Sequence, residues 1–332
     1  MARNGRLFLL ILMLMLVCIL ASLCLGASGI STGEMIQSLL SGDSSGAAWR
    51  IFMFVRLPRT IGAIIAGSAL AVAGLLLQSV LRNPLAAPSI IGINSGAGLC
   101  ALLVMAFFPS MAGMVSAASF AGACLAVFAV YLLARLTDAS RMTIVLSGVA
   151  VNTLLGACMD AIVTLVPDAA LSRSTFSIGG FSGVTMQQLR FAAPFWLAGL
   201  LIALLFQREL ELMILGDEVA HSLGMHVERF RTIFLVSAAL LAGAAVSFAG
   251  LISFVGLITP HMTAMLCKND SRFRLPIVMA MGATLCLLCD LLARTLFSPY
   301  ELPVGIVLSF LGAPFFLYLL IHRKRSNRHD SV

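Results

Sequence analysis

The sequence predicts an all-α fold, a polytopic membrane helical bundle of about ten transmembrane helices with both termini cytoplasmic. Hydrophobic residues fill 60% of the 332 positions and charged residues 11%, with a mean hydropathy of +1.05; soluble domains carry roughly 25% charged residues. About ten apolar runs reach the roughly 20 residues that a spanning helix needs. The basic residues are also distributed unevenly. Of the 21, Arg50, Arg56, Arg59, Arg173, Arg190 and Arg294 fall on one side of the predicted crossings. The others, from Arg3 and Arg6 through Arg82, Arg135, Arg141, Arg208, Arg274, Lys268 and Arg272 to the tail, fall on the opposite side, as the positive-inside rule requires of a cytoplasmic face.

The chain is read as one transmembrane domain over residues 1–332. Residues 1–27 form the first span, whose basic head and apolar run also suit a signal peptide; the run is longer than a usual signal core, which favours a retained helix. Residues 28–55, rich in glycine, are expected to be an external loop with at most a short amphipathic helix. Pro58 suits the first turn of a helix, so a span is expected from Thr60 to Leu81, with Gly62, Ala66, Ala69, Ala73 and Gly74 admitting a close neighbour. Pro84 and Pro88 then stop the helix. Spans follow at Ile90–Phe108, Gly113–Arg135 and Met142–Val166.

On the last of these, Thr153, Gly156, Asp160 and Thr164 share an arc of about 100°, with Asn152 beside it. This face either packs in the interior or lines a pathway, since an intramembrane carboxylate demands water or a partner. Pro167–Arg190 reads as a loop and Phe191–Phe206 as a short span. Ile233–Cys267 would be about 52 Å long as one helix, too long for one crossing, so a break is expected at Gly250 or Gly256, with a short helix ending at Thr259-Pro260-His261. Leu275–Phe297 and Val304–Ile321 are the last spans, joined by a turn from Ser298 to Pro303. Residues 56–322 thus form the core and 323–332 a basic cytoplasmic tail.

Residues 207–231 interrupt this apolar pattern. Within them Gly216 and Gly224 bracket a two-turn segment in which Asp217 is the expected N-cap and Gly224 the C′ residue. Leu215, Val219 and Leu223 recur along one side, leaving Glu218, His221 and Ser222 on the remaining surface; Gly216 and Ala220 complete the candidate coupling segment. Arg229 and Arg231 lie in a second short helix or in the start of the next span. A short helix with an apolar stripe suits docking into a partner's groove. The chain has no G-x-x-x-x-G-K-[ST] phosphate loop, so ATP would have to be handled by another subunit. Cys286 and Cys289 have metal-like spacing without a second pair and read as buried hydrophobes. The histidines form no metal pattern, and no nucleophile–base pair or nucleic-acid surface stands out.

An ordered set of motifs resembles the membrane permeases of bacterial ABC importers for iron-siderophores, haem and vitamin B12, the FecCD type. It comprises Arg56-Leu-Pro-Arg59, Gly74 to Gln78, Arg82-Asn83-Pro84-Leu85 with Pro88 and Gly92, Leu215 to Arg231, Phe254 to Pro260-His261, Asp290 to Arg294, Glu301-Leu-Pro303-Val-Gly305 and Gly312-Ala-Pro314. The resemblance implies a non-enzymatic subunit of the bacterial inner membrane, paired with a second copy or a related permease. It further implies two ABC ATPases that carry ATP and Mg and grip the 207–231 segment, and an external substrate-binding protein that docks on Arg56 and Arg59, with Arg294 a third candidate. Snorkelling at the interface is the alternative role for these arginines. Ala264 and Lys268 depart from the family's frequent Arg and Gly, and Phe176 with Gly179-Gly180 replaces its Trp followed by Gly-Ser. The competing expectation is an ion-coupled transporter in which Asp160 and Asp290 carry protons, against which Asp290 and Arg294, spaced i, i+4, are placed to pair.

Overall fold

The structure is a computed structural model that describes residues 2–26, 33, 34, 38, 46–137, 141–267, 273–296 and 300–329. Most of the predicted 28–55 loop, Lys268, Arg272 and the start of the turn at Ser298 lie outside the described residues, as do the side chains of the basic tail. Every regular element among the described residues is helical.

Among the described residues, seven helices are long and apolar enough to cross a membrane, against the ten or so expected. They belong to α1 (Ala2–Cys24), α2 (Ala47–Leu81), α4 (Val115–Leu136), α5 (Arg141–Leu165), α7 (Met186–Leu205), α10 (Val227–Ala249) and α12 (Arg274–Thr295). Three further helices are apolar but shorter: α3 (Ile93–Phe107), α11 (Val255–Leu266) and the apolar part of α13 (Val304–His329). The other α-helices that bear on the site are α6 (Ala169–Ile178), α8 (Gln207–Leu215) and α9 (Asp217–Ser222), and a short 3₁₀ helix over Pro109–Met114 joins α3 to α4.

Helix α2 is the axis of the bundle, buried along almost its whole length from Pro58 to Leu81 and packed by α7, α10, α11 and α12. The predicted small residues allow this. Ala66, Ala69 and Ala73 have no exposed surface. Two contacts are closer still, because a Cβ on Gly67 would collide with the carbonyl of Gly282 in α12, and one on Gly74 with the carbonyl of Gly256 in α11. With lipid outside offering no hydrophobic gain, such backbone contact is a main source of helix association.

Two prolines sit inside helices that they were expected to begin or end. Helix α2 starts at Ala47, eleven residues before Pro58, and a π-helical turn over Phe52–Arg56 absorbs the disruption, the Leu57 amide reaching back to Phe52 O. Similarly, α11 continues past Pro260 to Leu266. Pro260 has no N–H for the carbonyl four residues earlier, that of buried Gly256. Gln78 Nε2 of α2 donates to that oxygen at 3.0 Å, and Gly74, one turn away, supplies the space. Replacing Gln78 by Leu keeps the bulk and orphans the carbonyl, so a loss of about 1–3 kcal/mol is expected in unfolding of the purified subunit. An unchanged midpoint would show that Gly256 O has another donor.

The long apolar run breaks at Gly250, not Gly256. Gly250 has φ 68° and Phe254 φ 67°, and residues 251–254 are non-helical. The predicted 167–190 loop instead contains α6 and the first turns of α7, where Thr185 and Gln188 form a reciprocal capping box. The C-terminal end of α6 closes on the Gly250 break: Phe176 O accepts from Leu251 N at 2.9 Å, and Ala249 O accepts from Gly180 N at 2.8 Å. Gly305 of α13 lies so close to Ile178 O that a Cβ there would overlap it. Pro303 and Gly305 thus deliver α13 to the same junction.

Between α2 and α3 the chain turns as expected. Arg82 is left-handed at φ 45°, Asn83 Oδ1 accepts from Leu85 N at 2.9 Å, and Gly92 is again left-handed at φ 85°. Asn152 of α5 holds this segment, its amide donating to Ser89 O at 2.8 Å while its oxygen accepts from Ser95 at 2.7 Å.

Candidate functional site

At one end of the bundle, α8 leads through Gly216 (φ 123°) into α9, and the chain then passes Leu223 and Gly224 (φ 84°) into α10. The N-cap of α9 is Gly216, not Asp217, which is the first helical residue. The Asp217 carboxylate is engaged elsewhere: Arg231 Nη2 lies 2.9 Å from Oδ2, and Arg141 pairs with Oδ1. Arg231, which is 6% exposed, also pairs with Glu228. Three elements, α5, α9 and α10, are thereby clamped through one carboxylate. The far end of α9 closes with a Schellman motif, since Met225 N donates to Ala220 O at 3.0 Å and Gly224 N to His221 O at 2.9 Å. Ala220 and Met225 are buried and anchor the helix on the bundle.

This fixes which face is free. Leu215, Val219 and Leu223 are 58%, 44% and 61% exposed, and Glu218, His221 and Ser222 are exposed as well. The apolar stripe therefore faces away from the subunit's own core. Arg231 belongs to the start of α10 and braces the segment from within, whereas Arg229 is on the surface. Behind the segment a cavity of about 310 Å³ is lined by Gln78, Arg82, Pro84, Pro260, His261 and Arg274, so residues of three of the resemblance motifs meet next to the exposed helix.

A second cluster occupies the opposite end of α2. Arg59 Nε donates to both oxygens of Asp290 at 3.0 Å, and Arg59 Nη1 lies 2.7 Å from Glu301. Arg294 Nε is 3.6 Å from Asp290, and its Nη2 donates to Ser22 O at 2.9 Å and Ser22 Oγ at 2.7 Å. Arg56 donates to Leu23 O at 2.9 Å and Cys24 O at 2.5 Å. Three cations meet two carboxylates, and the last carbonyls of α1, the negative end of its dipole, take up the surplus positive charge. None of the arginines snorkels, because Arg56, Arg59 and Arg294 are 3%, 4% and 2% exposed. Sequence reading missed Ser22, Glu301 as an ion-pair partner and Arg141 as the brace of Asp217; the i, i+4 spacing of Asp290 and Arg294 was the one local signal.

On α5, Thr153, Asp160 and Thr164 are exposed and a Cβ on Gly156 would meet open space, while Asn152 is turned to the 82–92 segment. Asp160 pairs with Arg173 of α6 at 2.5 Å. Neither proposed proton carrier is an isolated carboxylate: Asp290 is held between two guanidinium groups, and Asp160, on the outer face of the subunit, is paired with Arg173. Among the described residues no group of His, Cys, Asp and Glu is arranged to hold a metal ion.

A bundle of apolar helices around a buried small-residue axis has the build of a multi-pass membrane protein. The chain belongs to the FecCD transport family, whose model matches residues 14–322. It is 36% identical to the hemin transport system permease protein HmuU of Yersinia pestis, over 98% of this chain and 99% of that one. It is 39% identical to the achromobactin transport system permease protein CbrC of Dickeya dadantii, over 94% and 90%. A solved inward-facing ABC transporter described as of the metal-chelate type superposes with a TM-score of 0.81 at 28% identity, covering 96% of this chain and 99% of that one.

Proposed function

We propose that the chain is the membrane-spanning subunit of a binding-protein-dependent ABC importer of the bacterial inner membrane, crossing ten times with both termini in the cytoplasm and carrying a ferric siderophore or a related chelate such as haem or cobalamin. The observation that carries this reading is the exposed Leu215–Val219–Leu223 stripe on a helix that the subunit clamps but does not cover. Two ABC ATPases hold these helices, one on each of two permease subunits. ATP and Mg bind the ATPases, whose closure drives α9, and the Arg141–Asp217–Arg231 clamp carries the displacement into α5 and α10. The exposed faces of α5 and α13, with Thr153, Gly156, Asp160 and Thr164 on the former and Phe310 and Leu317 on the latter, meet the second permease and the pathway. At the outer end the Arg56–Arg59–Arg294 cluster was expected to dock the binding protein, but its side chains are buried and held by Asp290, Glu301 and the last carbonyls of α1, so it ties α1, α2 and α12 together beneath the surface on which the binding protein docks.

Uptake by proteoliposomes containing the permease, its ATPase and its binding protein tests the proposal. Transport is expected to require ATP and the binding protein and to survive a protonophore; uptake that collapses with the protonophore and needs neither would overturn it. The cargo follows from ligand-induced stabilisation of the binding protein by ferric siderophores, haem or cobalamin.

A further inference from the structure

A groove of about 370 Å³ lies between α4 and α10, on the half of α10 nearer α9. Its floor is apolar and buried, formed by Val127, Leu235 and Ala239, and its walls include the exposed side chains of Phe128 and Val236. The groove runs along α10 from Thr232 to Leu240, about 12 Å of helix. Polarity appears only at one end, where the hydroxyls of Tyr131 and Thr232 are 3.2 Å apart.

Charge lies just past that end. Arg135 follows Tyr131 by four residues on α4, and Arg229 precedes Thr232 by three and Val236 by seven on α10, so both arginines stand on the groove's own faces, one turn beyond its polar lip. Both are exposed, and neither has a carboxylate partner among the described residues. The nearby carboxylate of Glu228 is held by Arg231.

We propose that this groove is a binding site for one anionic phospholipid, with an acyl chain on the Val127–Leu235–Ala239 floor, the ester region at Tyr131 and Thr232, and the phosphate between Arg135 and Arg229. An apolar slot that ends in a tyrosine and two arginines has the order of chemistries of a lipid crossing from tail to headgroup. The bound lipid bridges α4 to the helix that begins at the exposed segment. It therefore stiffens the base of α10.

The test is titration of the full purified chain in mild detergent with phosphatidylglycerol or phosphatidylcholine of identical acyl chains. Retained lipid is counted by native mass spectrometry, and stabilisation is read by thermal unfolding. Wild type is expected to retain one phosphatidylglycerol in preference to phosphatidylcholine. The R135Q/R229Q variant is expected to bind phosphatidylglycerol roughly 25-fold more weakly, about fivefold per lost arginine, with phosphatidylcholine unaffected, whereas R135K/R229K keeps the preference. Val236→Trp, at an exposed position on the wall, is expected to block both lipids. Equal retention of the two lipids by wild type, or wild-type phosphatidylglycerol affinity in R135Q/R229Q, would overturn the proposal. A Val236→Trp variant that loses a dimer while retaining lipid would assign the groove to a second copy instead.

Discussion

Replacing Asp290 by Ala is expected to destabilise the folded subunit by about 3–5 kcal/mol, the cost of breaking a buried ion pair from one side. The size of the effect comes from what remains. Arg59 and Arg294 would face each other inside the bundle with no shared carboxylate, and neither is more than 4% exposed. Asp290→Asn keeps the shape and one acceptor but still leaves the positive charges unbalanced, so most of the loss is expected there too. Glu301 provides the contrast. Its side chain is 34% exposed, water can replace it, and Glu301→Gln is expected to cost no more than about 1 kcal/mol. Thermal unfolding of the purified variants should order them Asp290→Ala, Asp290→Asn, then Glu301→Gln by loss. Equal losses for Asp290→Ala and Glu301→Gln would mean that the energy does not reside in the desolvated pair. A further consequence concerns α1, whose last carbonyls are held by Arg294 and Arg56; with Asp290 gone, the Arg294 side of that grip should loosen and proteolysis after Cys24 should accelerate.

Seven spans were legible because their signal is local: each is a long, predominantly apolar run, and the 35 residues from Ile233 to Cys267 exceed one membrane thickness, which forces a break. The small residues of α2 were legible for the same reason. What the sequence concealed depends on partners far along the chain. Pro260 reads as a helix end until Gln78, 178 residues away, supplies the donor that lets the helix continue. Arg59 reads as an interfacial cation until Asp290, 231 residues away, turns it inward. Helix α6 was hidden by its serines and by Gly179-Gly180 behind it, residues that usually mark loops; here they let its last carbonyls reach the Gly250 break. At α9 the length and both glycine boundaries were readable, whereas the direction of its apolar stripe was not, since Ala220 and Met225 decide it by docking on the bundle.

That direction gives the sharpest functional expectation. Val219→Asp combined with Leu223→Asp should reduce ATP-driven transport by at least about 30-fold, the equivalent of losing one contact hot spot worth roughly 2 kcal/mol. Both side chains are already exposed in the subunit, so the substitutions create no buried charge and remove no internal packing; insertion and the unfolding midpoint should stay near wild type. In a protein that used this stripe for its own core, the same change would lower stability first and transport only as a consequence. Ala220→Asp supplies that comparison, because Ala220 has no exposed surface and a carboxylate there meets the bundle directly. Co-purification of the ATPase distinguishes the two routes: Val219→Asp/Leu223→Asp should yield a stable permease that no longer retains the ATPase, and Ala220→Asp a permease that is itself unstable. If Val219→Asp/Leu223→Asp retains the ATPase and transports at the wild-type rate, the stripe is a lipid-facing or solvated surface, and the docking contact must be sought at Glu218, His221 and Ser222.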